Sequence, residues 1–210
     1  MKNYAGIIVG LGNPGPEYEH TRHNFGFMLA DQLIEKAGGP QQCPKPVQWD
    51  DCIVHDCALI KSKPHWLVAK PLTYMNLSGV AVGRLSRKFG IAPADIIVAH
   101  DEMDLPLGKM KLKKGGGTAG HNGLNSIVEH LGTADFVRLR LGVGRPDGHG
   151  PTRDYVLGAL DAEETGIANA VIDAAIKGIG ILARRGMSFA VQHINSFDAV
   201  PSADAAENLD

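Results

Sequence analysis

The sequence lacks a long apolar stretch, a large excess of charge and a paired-cysteine motif. No run approaches the roughly 18 apolar residues of a membrane-spanning helix, and the glycine-broken apolar run near the N-terminus is too weak for a signal peptide. The net charge of −2 gives no global attraction to nucleic acid, so any basic surface must be local. Cys43, Cys52 and Cys57 form no C-x-x-C pair and leave an odd thiol, as is typical of structural cysteines in a reducing cytoplasm. We therefore expect a cytoplasmic globular protein that does not bind membranes.

Two common catalytic devices are also missing. The chain has no G-x-S-x-G nucleophile elbow, and its cysteines lie in a Pro-rich loop or on a strand-like run. His20-x-x-His23 lies on no predicted helix, and Asp101-Glu102-Asp104 has no fixed partner pattern for a metal ion. The sequence therefore predicts neither a metal nor another cofactor.

Strand and helix patterns alternate along the chain. Strands are predicted at Ala5–Val9, Cys52–Ile60, Trp66–Lys70, Ile96–His100, Lys109–Lys113 and Phe136–Val143. Helices are predicted from Phe25 to near Gly38, from Asn76 to Phe89, from Asn122 to Leu131 and from Asp161 onward. This order predicts one α/β domain with a mostly parallel or mixed sheet, over residues 1–197. Residues 198–210 are acidic and rich in small side chains, and we expect a flexible tail there.

The loop after the first predicted strand matches a dinucleotide-binding motif. Gly10–Gly15 reads G-x-G-x-x-G, and Asp31 lies near the spacing of the acidic residue that such sites require. However, Pro14 and Pro16 remove two backbone N–H donors where a phosphate would need them, and no helix starts there. A plain strand-to-helix turn is a further alternative.

Four predicted loops carry the side chains that could do chemistry, because α/β proteins place their sites beyond the strand ends. A histidine close to a carboxylate permits general-base catalysis. Asn76 and Asn122 also have a second interpretation, as N-caps of the helices that they precede. The loop residues are Asn13, Tyr18, His20, His23 and Asn24; Tyr74–Asn76; His100–Asp104; and His121 and Asn122.

Basic residues concentrate on two predicted strands. The period of two places Lys109, Lys111 and Lys113 on one face, and Arg138 and Arg140 together on the other strand. This pattern favours a track for a polyanion, with an ordinary solvated strand face as the alternative.

Four segments resemble the signature segments of the bacterial-type peptidyl-tRNA hydrolases. They are GLGNPGPEYEHTRHN, PLTYMNLSG, HDEMDLPLGKMKLKKGGGTAGHNG and FVRLRLGVGRP, in order between about Ile7 and Pro146. The resemblance implies a single monomeric α/β domain with a twisted mixed β-sheet flanked by helices. It also implies an enzyme that cleaves the ester between a peptide and the 3′ end of tRNA, and so recycles peptidyl-tRNA released from stalled ribosomes.

The same resemblance implies roles for individual residues. His23 corresponds to the base that activates water, Asp101 to the carboxylate that stabilises the charged base, and Asn13 to the residue that distinguishes N-blocked peptidyl-tRNA from free aminoacyl-tRNA. Substrate contacts fall on Tyr18, Tyr74, Asn76 and Asn122, and the clamp for the tRNA 5′ phosphate on Lys113 and Arg140. The division of labour among the three asparagines stays open.

The chain departs from the family pattern at Thr118-Ala119, where a further glycine is common. The added methyl group should stiffen this loop. Two other functions remain as alternatives: a non-catalytic RNA-binding module that uses the basic strands, and a dinucleotide-dependent oxidoreductase.

Overall fold

Six strands form a mixed sheet in a computed structural model that describes residues 3–61, 63–146 and 151–200. The strands are β1 (Tyr4–Gly10), β2 (Cys52–Cys57), β3 (His65–Pro71), β4 (Ile96–Glu102), β5 (Met110–Lys114) and β6 (Val137–Gly142). Their spatial order is β2-β3-β1-β4-β6-β5. The inner strands β3, β1, β4 and β6 run parallel, and the edge strands β2 and β5 pair antiparallel. The predicted α/β fold with a mixed sheet is confirmed.

Helices cover both faces of this sheet. They are α1 (Phe25–Lys36), α2 (Gly39–Gln42), α3 (Ser78–Phe89), α4 (Asn122–Leu131), α5 (Thr152–Val156), α6 (Ala162–Arg185) and α7 (Met187–Asn195). The alternation of side chains on β1 divides the core into two layers. Ile8 packs in the layer of α1, α6 and α7, whereas Ile7 and Val9 pack in the layer of α3 and α4.

Several helix ends lie where the sequence predicts them. Gly90 and Gly132 adopt left-handed conformations directly after α3 and α4, as C-terminal glycines do. Asp161 and Glu164 form the predicted capping box at the start of α6. The sequence does not predict α2, α5 or α7, since two of them are too short for a helical period and α7 follows α6 after the single residue Gly186.

The fourth strand is longer than predicted. The pattern ends it at His100, but β4 continues to Glu102 because Asp101 and Glu102 pair with Leu141 and Gly142 of β6. The ladder therefore places the Asp101 side chain on a rigid strand and not in a loop.

The long helix α6 would be long and apolar enough to cross a membrane, judged by length and composition alone. A search for an unbroken apolar run misses this helix, because polar residues interrupt its apolar ones. In the fold, one face of α6 is buried in the core through Val171, Ile172 and Ile179.

The predicted tail is described only at its start. Asp198 forms an isolated antiparallel bridge with Lys109, and their side chains approach to 3.1 Å. Residues 201–210 lie outside the described part of the chain, and the domain boundary at residue 197 stays a prediction.

Candidate active site

A cavity of about 740 Å³ opens at the carboxyl ends of β1 and β4. After β1 the chain forms β2 and β3 on one side of this strand and then β4 on its other side. The strand order therefore reverses at β1, and the loops that follow β1 and β4 diverge. All four predicted loops contribute to the cavity. The predicted site residues in its lining are Asn13, Tyr18, His23, Tyr74, Asn76, Asp101 and Asn122.

The predicted pair of His23 and Asp101 is in direct contact. His23 Nδ1 lies 3.0 Å from each carboxylate oxygen of Asp101. Because a carboxylate only accepts hydrogen bonds, the proton of the neutral imidazole is on Nδ1, and Nε2 keeps a free lone pair. The side chain of His23 is 14% exposed and that of Asp101 only 3%, so the base reaches solvent while its partner is shielded. This arrangement suits proton abstraction from a bound water.

A second histidine, His121, which the sequence places in one of the four loops but gives no role, also binds the carboxylate. His121 Nε2 lies 3.0 Å from Asp101 Oδ1. On its other side, His121 Nδ1 accepts hydrogen bonds from the backbone N–H groups of Gly123 and Leu124, at 3.1 and 3.4 Å. An accepting Nδ1 carries no proton, so His121 is a neutral imidazole that donates from Nε2 to Asp101.

His121 is therefore the N-cap of α4, and the interpretation of Asn122 as that cap is wrong. The interpretation of Asn76 as an N-cap is also wrong, because a 3-10 turn at Met75–Leu77 precedes α3 and neither has a side-chain cap. Both asparagines are exposed at the cavity, so their amides are available to a ligand.

The buried groups around Asp101 have shifted pKa values. Burial disfavours the charged form of Asp101, but the electrostatic attraction and the hydrogen bonds of the His121 and His23 N–H groups outweigh it and hold the pKa of the carboxyl below its usual value. The adjacent His100 is 1% exposed, and burial, followed by the effect of His121, lowers its pKa to about 3. At neutral pH the site therefore contains an ionised Asp101 and a neutral His100.

Asn13 has a fixed side-chain orientation. Its Oδ1 accepts the backbone N–H of Met75 at 2.8 Å, so its N–H₂ group is the end available to the cavity. Its backbone is held by Asn24, which the sequence places in the same loop but gives no role.

The glycines of this loop serve close packing, since a Cβ on Gly10 would lie 2.1 Å from the Gly26 carbonyl oxygen.

His23, Asp101 and His121 also have ligand atoms within 4.8 Å of one another, which raises the question of a metal ion. A histidine that binds a metal normally donates its other ring N–H to an acceptor. His121 does the opposite, because its Nδ1 accepts from two backbone N–H groups. Metal binding at Nε2 would thus require the imidazolate anion, and the cluster does not fit a metal centre.

The three thiols do not fit a nucleophilic role either. Cys43, Cys52 and Cys57 are free and buried, and only Cys43 lies outside a strand. Burial is the main factor that raises the pKa of Cys52 to about 12, and it raises that of Cys57 further. Both remain protonated at neutral pH and are poor nucleophiles.

Three of the predicted basic residues, Lys113, Arg138 and Arg140, line a separate pocket of about 110 Å³ beside the cavity. Lys113 is exposed on β5, but Arg140 Nε donates to Glu102 Oε2 at 2.7 Å. Arg138 is buried and donates to the carbonyl oxygen of Gly117. The prediction that both arginines lie together is confirmed, although each already has a partner within the protein.

The loop between these two pockets contains the departure at Thr118-Ala119. Ala119 has a φ of 50°, a left-handed conformation that is strained for a residue other than glycine. A glycine, which the family resemblance leads one to expect here, would adopt this conformation without strain, and the effect of the methyl group on loop motion stays a prediction.

The fold and the site together define an α/β enzyme whose open cavity presents an unprotonated histidine nitrogen supported by a buried carboxylate. Such a centre suits hydrolysis by an activated water molecule.

Comparisons with known proteins agree with this class. The chain matches the family described as peptidyl-tRNA hydrolase over residues 7–202. A peptidyl-tRNA hydrolase of Nitratidesulfovibrio vulgaris strain DP4 is 48% identical over 201 residues, which cover 93% of this chain and 98% of that protein. One from Oleidesulfovibrio alaskensis is 48% identical over 204 residues, with the same coverage of 93% and 98%. The crystal structure of peptidyl-tRNA hydrolase from Acinetobacter baumannii is 36% identical, has a TM-score of 0.83, and covers 95% of this chain and 98% of that chain.

The chain therefore belongs to the peptidyl-tRNA hydrolase family and is an enzyme of the hydrolase class. The resemblance of the four sequence segments to this family is confirmed.

Proposed function

We propose that this enzyme hydrolyses the ester bond between a peptide and the 3′-terminal ribose of tRNA, as a monomer in the cytoplasm, with His23 as the general base. The observation that carries the proposal is the contact of His23 Nδ1 with both oxygens of the buried Asp101, at 3.0 Å each. It leaves Nε2 free at a cavity that is lined by amides and large enough for the acyl group and the terminal nucleoside.

In the reaction, His23 Nε2 takes a proton from water while the water oxygen attacks the ester carbonyl. The resulting imidazolium is stabilised by ionised Asp101, and it returns the proton to the 3′ oxygen of the ribose as the ester bond breaks. The ring of His23 keeps its orientation because Asp101 is held on β4 and is bound from the other side by His121. The amides of Asn76 and Asn122 line the cavity, and in this proposal they bind the substrate or the developing oxyanion.

Asn13 accounts for selection of N-blocked substrates. Its carbonyl end is bound to Met75, so it presents only N–H donors to the substrate. A peptide or N-acyl group offers a carbonyl acceptor at this point, whereas a free aminoacyl group offers an ammonium that only donates. A donor that faces a donor would lose its hydration without a compensating hydrogen bond, which disfavours binding.

The tRNA lies across the basic pocket beside the cavity in this proposal. Lys113 is free to bind a phosphate of the acceptor stem, and Arg140 joins it only if the phosphate competes with Glu102. Tyr18 and Tyr74 line the cavity, and Tyr74 is 62% exposed, so its ring is available for contact with the peptide or the terminal base.

The test is hydrolysis of N-acetyl-aminoacyl-tRNA by the wild type, by His23→Ala and by His20→Ala. His20 is a matched control, because it lies in the same loop but is exposed and is not part of the cavity lining. Loss of the base should lower kcat by at least about 10²-fold, whereas His20→Ala keeps normal activity. A His23→Ala variant with more than about a tenth of wild-type kcat would remove this residue as the base.

Parallel incubations with uncharged tRNA and with NAD separate the alternative functions. Tight tRNA binding without turnover of the ester would identify an RNA-binding module, and NAD binding would identify an oxidoreductase. Sedimentation of the active protein tests the proposed monomer.

A further inference from the structure

Asn24 is buried directly beside the proposed base. It ends the 3-10 turn Arg22–Asn24 and is 2% exposed, so it has almost no surface with which to touch a substrate. Its side-chain amide instead binds both backbone groups of Asn13. Asn24 Oδ1 accepts the Asn13 N–H at 2.8 Å, and Asn24 Nδ2 donates to the Asn13 carbonyl at 2.9 Å.

This pair of hydrogen bonds fixes the position of Asn13 relative to His23. Two bonds to the same residue restrict both sliding and tilting of its backbone, and both are buried, where an unmade hydrogen bond is expensive. The Asn13 side chain then continues the connection to Met75 at 2.8 Å, so two loops are joined in one chain of amide contacts. Asn24 and His23 are neighbours in one turn, so the distance from the base to the Asn13 donor is set through Asn24.

We propose that Asn24 is a positioning residue for substrate selection: it places the Asn13 N–H₂ group where it donates to the carbonyl oxygen of the substrate's N-acyl group while His23 activates the water that attacks the ester. The inference rests on the proposed function, since it assumes that the enzyme distinguishes N-blocked from free aminoacyl-tRNA. It assigns Asn24 no contact with the reacting atoms.

The experiment compares one tRNA charged with one amino acid, either N-acetylated or free. The measured quantity is the ratio of kcat/KM for the blocked substrate to kcat/KM for the free substrate. Contacts to the tRNA are common to both substrates and cancel in this ratio, as does any change in the basicity of His23. We expect Asn24→Ala to lower the ratio about tenfold or more, in line with the loss of two buried hydrogen bonds.

Asn24→Asp is the second variant, because it has the same shape and is expected to fold. It keeps an acceptor for the Asn13 N–H but replaces the donor by an oxygen that faces the Asn13 carbonyl. It should therefore lower the ratio as well, even where Asn24→Ala is too unstable to assay.

Asn195 provides a matched control. Its side chain makes the same kind of paired contact with the backbone of Leu112 on β5, at 2.7 and 3.4 Å, far along the chain from Asn13. Asn195→Asp makes the same chemical change there and should leave the ratio at its wild-type value.

Adding Asn13→Ala separates action through Asn13 from a general effect on the fold. If Asn24 acts through Asn13, then Asn24→Asp in the Asn13→Ala background causes no further loss of the ratio. An unchanged ratio in Asn24→Asp, with both rates lowered equally, overturns the inference while the proposed function stands. A wild type that cleaves neither substrate instead refutes the proposed function.

Discussion

Acid should destabilise this protein through His100. Its Nδ1 donates to the Asp101 carbonyl at 2.7 Å, and its buried Nε2 has no hydrogen-bond partner among the described residues. Burial is the largest cause that lowers the pKa of His100 from 6.5 to about 3, and the neighbouring His121 and Arg138 act in the same direction. Asp101 opposes them, so the neutral form of this histidine is favoured overall in the folded state.

The sign and size of the effect follow from proton linkage. Between pH 6.5 and about 3 the unfolded chain binds a proton at His100 that the folded chain does not. The free energy of unfolding therefore falls as the pH falls, by about 1.4 kcal/mol for each pH unit. From well above pH 6.5 to well below pH 3 the total loss reaches about 5 kcal/mol, a large part of the stability of a typical domain.

The measurement is urea unfolding of the wild type and of His100→Asn at about pH 6.5, 5.5 and 4.5. Asparagine keeps a donor for the Asp101 carbonyl but does not titrate, and all other titrating groups are common to the two proteins. We expect the wild type to lose about 1 kcal/mol more than the variant between pH 6.5 and 5.5 and about 1.3 kcal/mol more between pH 5.5 and 4.5, whatever their difference at the highest pH. Parallel pH dependences in the two proteins would refute the assignment of this proton to His100.

Three further outcomes are expected. Asp101→Asn should lower kcat by roughly 10²-fold or more with little change in KM, since an amide cannot stabilise the His23 imidazolium, and a normal kcat with a raised KM would make Asp101 a binding residue. Activity should survive chelation by EDTA because the donor pattern of His121 opposes a metal, whereas a loss that one particular metal restores would contradict this. Lys113→Ala should make the slope of log K against log salt shallower by ~0.9 and raise KM for whole tRNA but not for a short peptidyl-nucleotide ester. An unchanged slope would remove Lys113 from the tRNA contact.

The parts of the structure that follow from local rules were predictable from the sequence. The apolar period gives α1 and α4, glycines mark the ends of α3 and α4, and Asp161 and Glu164 mark the start of α6. The four loops of the cavity were also predictable, because α/β folds bring the carboxyl ends of parallel strands to one edge.

Whether a charged side chain is already paired within the protein was not predictable, because the pairing occurs between different strands and loops. Alternation places Arg138 and Arg140 on one face of β6, but only the fold shows that Glu102 of β4 neutralises Arg140 and that Arg138 binds the Gly117 carbonyl. A basic pattern in the sequence thus overstates the positive charge available to a phosphate.

The contacts that the sequence does not reveal share one physical feature: each joins a side chain to the backbone or side chain of a segment elsewhere in the chain. Asn24 binds a residue 11 positions away, and Asn13 binds one 62 positions away. His121 joins the N-terminus of α4 to a carboxylate on β4, 20 positions earlier in the chain. Helical and strand periods report only on neighbours within one element, so such contacts leave no periodic signal. They nevertheless fix the orientation of His23, Asp101 and Asn13, and variants of these supporting residues should change selectivity and pH dependence before they change the fold.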